Sequence, residues 1–209
     1  MYIPKHNSEH DLTVVRALVR DYGFGTMIVP RSDGQIEISH LPFLLEASEG
    51  GDRLRVHVAR ANRIWRDALA GDRHGDIVIV FHGPHGYVSP TWYERGREDV
   101  PTWNYAVVHA HVTTPREMSE AELHRALDDL ARANETSAAP WRFDELPGAM
   151  KDRLVPAIVG LELPVARWET KLKLSQNRTP ADHARVVAAF EARGFENDRA
   201  MVAMMRART

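Results

Sequence analysis

Residues 82–112 read HGPHGYVSPTWYERGREDVPTWNYAVVHAHV, and the reading of this stretch decides the fold. It carries two of the five tryptophans, Trp92 and Trp103, and four of the eleven histidines, His82, His85, His109 and His111. The nearly continuous apolar run IVIVF (77–81) leads into it, which marks a strand buried on both faces or set in a closed sheet. Residues 104–112 read as a second strand, and a polar loop centred on 94–99 separates the two. A plain hairpin does not need so many rings, amides and hydroxyls. The stretch reads as the wall of a ligand site.

On the N-terminal side, Leu12, Val15, Leu18 and Val19 recur at helical spacing. Ser8 and Asp11 precede them as a capping-box pattern, and Gly23 stops the helix. Strands follow at 25–30, 35–40, 41–45 and 53–58, with turns at RSDG (31–34) and EGGD (49–52). The last of them delivers the chain to a helix over 63–70, with Asn62 as N-cap and Gly71 as C-cap. On the C-terminal side, Ser119 and Glu122 form a capping box for a helix to about residue 134. Residues 135–148 read as loop and 149–154 as a short helix. Strands at 157–163 and 165–172 are separated by Pro164. Thr179 and Pro180 start a helix that Gly194 stops, and a Met- and Ala-rich helix over 197–206 follows.

Short strands in two blocks, without a strand–helix–strand rhythm, exclude a doubly wound parallel sheet. The pattern predicts a mainly β fold with flanking helices (α+β), a small antiparallel barrel decorated by helices. Residues 1–178 form the barrel domain with an inserted helix at about 119–134. Residues 179–209 form a helical extension, packed on the barrel or on a partner subunit rather than standing as an independent domain.

The chain has 209 residues, 44% of them hydrophobic, and a net charge of −2. That is enough for a real core, and it gives no global basic field for DNA or an anionic membrane. Cysteine is absent, which excludes disulfides and thiol chemistry and fits a reducing cytoplasm. The start, MYIPKHNSEHD, lacks the apolar core of a signal peptide, and no apolar run approaches the ~20 residues of a membrane span. No Walker loop, no G-x-G-x-x-G and no G-x-S-x-G elbow around Ser89 is present.

Five constellations remain. Arg60 beside the helix start at Asn62 sets a guanidinium next to exposed N–H groups, an anion-binding arrangement. It equally describes an ordinary capped helix with a solvated arginine. KLKLSQNR (171–178) puts two lysines on one strand face ahead of Ser175, Gln176 and Asn177. Such a run can hold an anion and the amide edge of a heterocycle, or simply be solvated. Trp92, Tyr93, Trp103 and Tyr105 offer faces for a flat ring or for a dimer interface. His109 and His111 share a strand face and, with His82 or His85, have the donor chemistry of a metal site. No further ligand stands at a fixed spacing, and no metal is assigned. The last two helices resemble a helix–turn–helix in outline, with Arg185, Arg193, Arg199, Arg206 and Arg208 supplying charge. Asp182 and Glu191 on the first helix weaken that reading, and packing is the plainer one.

Seven blocks then occur in one order: MYIPKH (1–6), LPFLL (41–45), HVARANRIW (57–65), YVSPTWY (87–93), VPTWNYAVVHAH (100–111), AIVGL (157–161) and KLKLSQNR (171–178). With them the chain resembles the PaiB-type family, described as FMN-binding negative transcriptional regulators. That family is similar to the FMN-binding split β-barrel of pyridoxamine-phosphate oxidases and flavin reductases, which dimerise with flavin at the subunit interface. The resemblance implies an FMN cofactor, a homodimer, no membrane partner, and regulation exerted on DNA directly or through another protein. It implies Arg60 and Asn62 at the flavin phosphate, and Thr102, Trp103 and Asn104 along the ring system. Lys173, Ser175 and Gln176 close over the ring, and Ser89 and Trp92 are counted with them. Lys173 near the pyrimidine edge would stabilise reduced, anionic flavin. The alternative is a flavin-dependent oxidoreductase or flavin reductase on the same barrel. A third reading is a haem- or metal-handling split barrel using His82, His109 or His111. Two positions depart from the family pattern: Asn7, where an aromatic is usual, and Gly86, where a larger residue is expected and where glycine loosens the loop.

Overall fold

The computed structural model describes residues 1–208, with Arg97 in its backbone only. In chain order the elements are β1 (Ser8–Glu9), α1 (Leu12–Asp21), β2 (Phe24–Pro30), β3 (Ile36–Pro42), β4 (Leu44–Glu46) and β5 (Arg53–Ala59). Then come α2 (Ile64–Leu69), β6 (Ile77–Val88), β7 (Thr102–Val112), β8 (Arg116–Glu117) and α3 (Glu120–Asn134). The chain continues through α4 (Gly148–Leu154), β9 (Ile158–Lys173), α5 (Pro180–Arg193) and α6 (Glu196–Arg206). Among the described residues no helix is long and apolar enough to cross a membrane.

The strands follow the order β3-β2-β6-β7-β9-β5-β4, with β1 and β8 also pairing β9. The hairpins β2–β3 and β4–β5 and the pair β5–β9 are antiparallel. The mainly antiparallel sheet with flanking helices is the predicted class. The closed sheet is not: the hydrogen-bonded path ends at β3 on one side and at the three-residue β4 on the other.

Two strands run further than the sequence suggests. β6 does not stop at Phe81 but continues to Val88. Its buried residues alternate as Ile77, Ile79 and Phe81, and the exposed ones are then His82, His85 and Tyr87. The alternation slips by one residue at Gly83-Pro84, the mark that a bulge leaves. A Cβ on Gly83 would lie 3.0 Å from the Ala106 Cβ, so the strand also needs a glycine there. β9 runs unbroken through Pro164, whose carbonyl accepts from Thr113 N at 3.1 Å. At the front of the chain, Asp11 rather than Ser8 caps α1, accepting from Thr13 N at 2.8 Å.

The chain forms two compact units, one of Met1–Leu18, His82–Val108 and Glu169–Thr209, the other of Val19–Phe81 and His109–Trp168. In the second unit Met27, Val29, Leu54, Val56, Ile77, Ile79, Leu161 and Leu163 build the core, with Phe43 edge-on to Phe81 at 5.6 Å. The outer face of the β2–β3 hairpin is apolar and open, with Phe24 69%, Ile36 61% and Ile38 53% exposed. α3 begins with the predicted capping box of Ser119 and Glu122. Arg116 bonds both Glu122 and Glu162, and the guanidinium, with Ser119, holds the Glu122 carboxyl down at about 2. The stretch read as loop contributes a 3-10 turn, Phe143–Glu145. Its Phe143 joins Met118, Leu123, Ala126 and Val155 in a satellite core.

In the first unit α5 buries Val186, Val187 and Phe190, and α6 buries Met201, Val202 and Met205. Gly194 joins them at φ 70°, a left-handed conformation that glycine adopts without a Cβ clash. Arg193 donates to both oxygens of Asp198, at 2.8 and 2.6 Å, and to the Tyr87 carbonyl at 3.2 Å. Asp198 is 1% exposed, and the Arg193 guanidinium holds its carboxyl below the usual value of 3.8. A depressed carboxyl pKa contributes stability above the ordinary value, and that contribution is lost as pH falls through the lower, folded value. We expect Asp198→Asn to lose about 1–3 kcal/mol at neutral pH in urea unfolding. The gap to wild type narrows as pH falls below the usual value of 3.8.

Candidate functional site

Of the ten residues that the sequence nominates, Ser89, Trp92, Thr102, Trp103, Asn104, Lys173, Ser175 and Gln176 belong to the first unit, and Arg60 and Asn62 to the second.

In the first unit β7 alternates its side chains, so Asn104 and Ala106 turn inward while Trp103 and Tyr105 turn outward. Trp103 is 52% exposed. The Tyr87 ring stands edge-on to it at 6.0 Å, and the His85 ring is tilted against it at 6.3 Å. A shallow pocket of about 230 Å³ opens between His82, His85 and Tyr105. At the end of β9, Lys173 Nζ donates to Thr102 Oγ1. Burial pushes the Lys173 ammonium below the usual lysine value; Tyr105 opposes this, while Lys171 and Arg178 add to it. Lys171 Nζ lies 5.3 Å from the Tyr105 ring centroid. Arg178 stacks on Tyr93 at 4.1 Å and grips Asp99, whose carboxyl it holds low. Thr102, Trp103 and Lys173 thus present a hydroxyl, an open aromatic face and a fixed ammonium. These donors suit a flat heterocycle with a carbonyl edge, which is the chemistry of a flavin ring.

The other five work behind that surface. Asn104 is 0% exposed and bonds Ser175 Oγ through its amide at 3.0 Å. Ser175 sits at φ 64°, an uncommon conformation for a residue with a Cβ. Gln176 Oε1 accepts from Leu174 N at 2.7 Å, and its amide donates to the Leu172 carbonyl. Ser89 caps the 3-10 turn Pro90–Trp92 by accepting from Thr91 N. Trp92 packs edge-on to Phe190 at 5.3 Å, with Arg193 5.6 Å from its ring. Gly86 lies within β6 rather than in a loosened loop, and a Cβ there would come 2.6 Å from Phe190. Asn7, the other departure, is buried in a short turn.

In the second unit Arg60 Nε donates to the Pro156 carbonyl at 2.8 Å and Nη2 to the Ile158 carbonyl at 3.1 Å. The N-cap position of α2 is Arg63, one residue later than predicted; Asn62 Oδ1 still accepts from Ile64 N at 3.0 Å, and Nδ2 donates to Ser39 Oγ at 2.9 Å. α2 ends with Ala70, not Gly71, as its C-cap. The histidines divide as well, His82 and His85 in the first unit and His109 and His111 in the second. The sequence did not announce the Arg178–Asp99 pair, whose partners lie 79 positions apart with no periodic signal between them.

Residues 1–167 match the family model described as "Putative FMN-binding domain". The chain is 30% identical over 209 residues to "Protease synthase and sporulation protein PAI 2" of Bacillus subtilis (strain 168), covering 98% of this chain and 96% of that protein. It is 27% identical over 244 residues to an uncharacterised protein of Emericella nidulans, covering 100% and 97%. The fold is similar to that of the FAD and heme binding protein from Mycobacterium smegmatis, with a TM-score of 0.62 and 17% identity over 90% of this chain and 81% of that one. The flavocytochrome Anf3 from Azotobacter vinelandii gives a TM-score of 0.55 and 17% identity over 88% and 78%. These likenesses place the fold among the split barrels.

Removing the amide of Asn104 leaves the buried Ser175 hydroxyl without it. Asn104→Ala is expected to cost about 1–3 kcal/mol in denaturant unfolding.

Proposed function

The chain belongs to the PaiB-type FMN-binding family, and from that premise we propose that it is a homodimeric, cytoplasmic FMN protein that regulates transcription negatively through a protein partner. The observation that carries the flavin assignment is the open face of Trp103 together with the Lys173–Thr102 contact at the start of the same strand. In this reading Trp103 lies against a ring face, while the Thr102 hydroxyl and the Lys173 ammonium meet the polar edge. Asn104, Ser175, Gln176, Ser89 and Trp92 are positioning residues. Arg60 and Asn62, engaged by carbonyls and a turn of their own unit, are left out of the assignment. Bound FMN supplies the redox chemistry, and the chain positions it and sets the charge around it.

Three of the five C-terminal arginines that would face DNA are paired within the chain: Arg193 with Asp198, Arg206 with Glu191 at 2.6 Å, and Arg208 with Glu9. Their charge is compensated, which favours action through another protein over direct phosphate binding. The open apolar face of Phe24, Ile36 and Ile38 supports a second copy as partner. A flavin-dependent oxidoreductase is the second reading, favoured by the fixed cation at Lys173.

Freshly purified protein is expected to show a flavin absorption spectrum, and to sediment at twice 23.7 kDa at micromolar concentration. A colourless protein that takes up no FMN defeats the cofactor assignment, and a monomer defeats the dimer. Lys173→Met is expected to shift the flavin midpoint to more negative potential by about 30 mV or more, roughly 1.4 kcal/mol for a two-electron couple. Rapid bleaching by NAD(P)H would favour the oxidoreductase, and a promoter shift at about 50 mM salt would favour direct DNA binding.

A further inference from the structure

Beside α3 and α4 the second unit holds a cleft of about 420 Å³ that has no part in the flavin assignment. Its size falls within the range of small-molecule sites, roughly 300–1,000 Å³. Met118, Leu123 and Val155, all buried, give it an apolar floor. Gly160 keeps the floor close, because a Cβ there would lie 2.9 Å from the Met118 sulfur.

The walls carry Arg60, Lys151 and His124. Arg60 is fixed by the two carbonyls it meets, and Lys151 Nζ by the Asp144 carbonyl at 2.8 Å, 5.2 Å from the Phe143 ring centroid. Among the described residues neither cation forms an ion pair with a carboxylate. Their charges are held in position by neutral oxygens. His124 Nε2 is buried without a hydrogen-bond partner, and the Glu120 carboxylate stands 3.9 Å away, beyond hydrogen-bond reach. Buried polar atoms rarely go unpaired, and because the His124 ring is itself 36% accessible, a turn of the ring toward the cleft would give this nitrogen a partner. Glu117, Glu120 and Asp152 also line the cleft; like Arg60 they are exposed, where water and salt screen them, whereas Lys151 is half-buried.

We propose that this cleft is a second ligand site, for a small carboxylic acid with an apolar body. The carboxylate sits between Lys151 and His124, where it accepts a charge-assisted hydrogen bond from the ammonium and one from the imidazole. The body lies on Met118, Leu123 and Val155. In a regulator, such a site is where a small acid controls the protein.

The test is calorimetric titration of phenylacetate, with 2-phenylethanol as its uncharged counterpart, into the FMN-loaded protein. The expected result is saturable single-site binding of phenylacetate, weakened at least tenfold for the alcohol. The same loss is expected in Lys151→Ala and His124→Phe, with the thermal midpoint and flavin spectrum unchanged. If His124→Phe does not fold, Lys151→Ala alone decides. No saturable binding of phenylacetate, equal affinity for acid and alcohol, or an unaltered affinity in the folded variants would overturn the proposal. Binding that appears only after flavin is removed, and that FMN but not riboflavin abolishes, would assign the cleft to the cofactor phosphate and equally overturn a second site.

Discussion

An amide that cannot reach water must find its partners inside, and Asn104 finds Ser175. This one buried contact ties the start of β7 to the turn that follows β9. It holds Ser175 in a left-handed conformation that a serine would otherwise leave. Because the turn is fixed there, Gln176 can fold back on the end of β9, and Lys173 is delivered to Thr102 rather than to solvent. The surface assigned to the flavin is therefore made by a second layer that never touches it. A fixed cation does more for a bound anion than a mobile one, because its ordering cost is already met within the fold.

Much of this could be read in the sequence, and the reason differs from place to place. The α3 capping box, the Thr179 cap of α5 and the Gly194 stop are local chemistry, set within four residues, and they stand where the spacing puts them. Gly-Pro and a lone proline are strong local breakers, and on the sequence alone they end β6 at Phe81 and divide β9 at Pro164. Each strand absorbed its proline once neighbouring strands had fixed the backbone around it. The apolar run 77–81 says that a strand is buried; it cannot say whether the sheet closes, which depends on the short β4.

The site shows the same division. The motif blocks point to the right segments but not to the atoms. Within KLSQNR, Lys173 meets Thr102, Ser175 meets the Asn104 amide, and Gln176 bonds the backbone on either side of Lys173. Within VPTWNY, alternation separates Trp103 from Asn104, and period 2 could have told them apart. Arg178 with Asp99, and Lys151 with His124, come from distant parts of the chain or from a loop without periodicity, and no spacing rule would have paired them.

The slip at Gly83-Pro84 has a consequence for how β6 can change length. Before the slip the solvent-side residues are even-numbered, and beyond it they are odd. Loss of one residue elsewhere in the strand would turn its distal half over, exposing Gly86 and driving Tyr87 into the space that Phe190 needs. Loss of one residue at the slip would restore strict parity and leave both halves facing as they do. Shortening of this strand is thus tolerable at one dipeptide, and homologous chains with a deletion in β6 should carry it there.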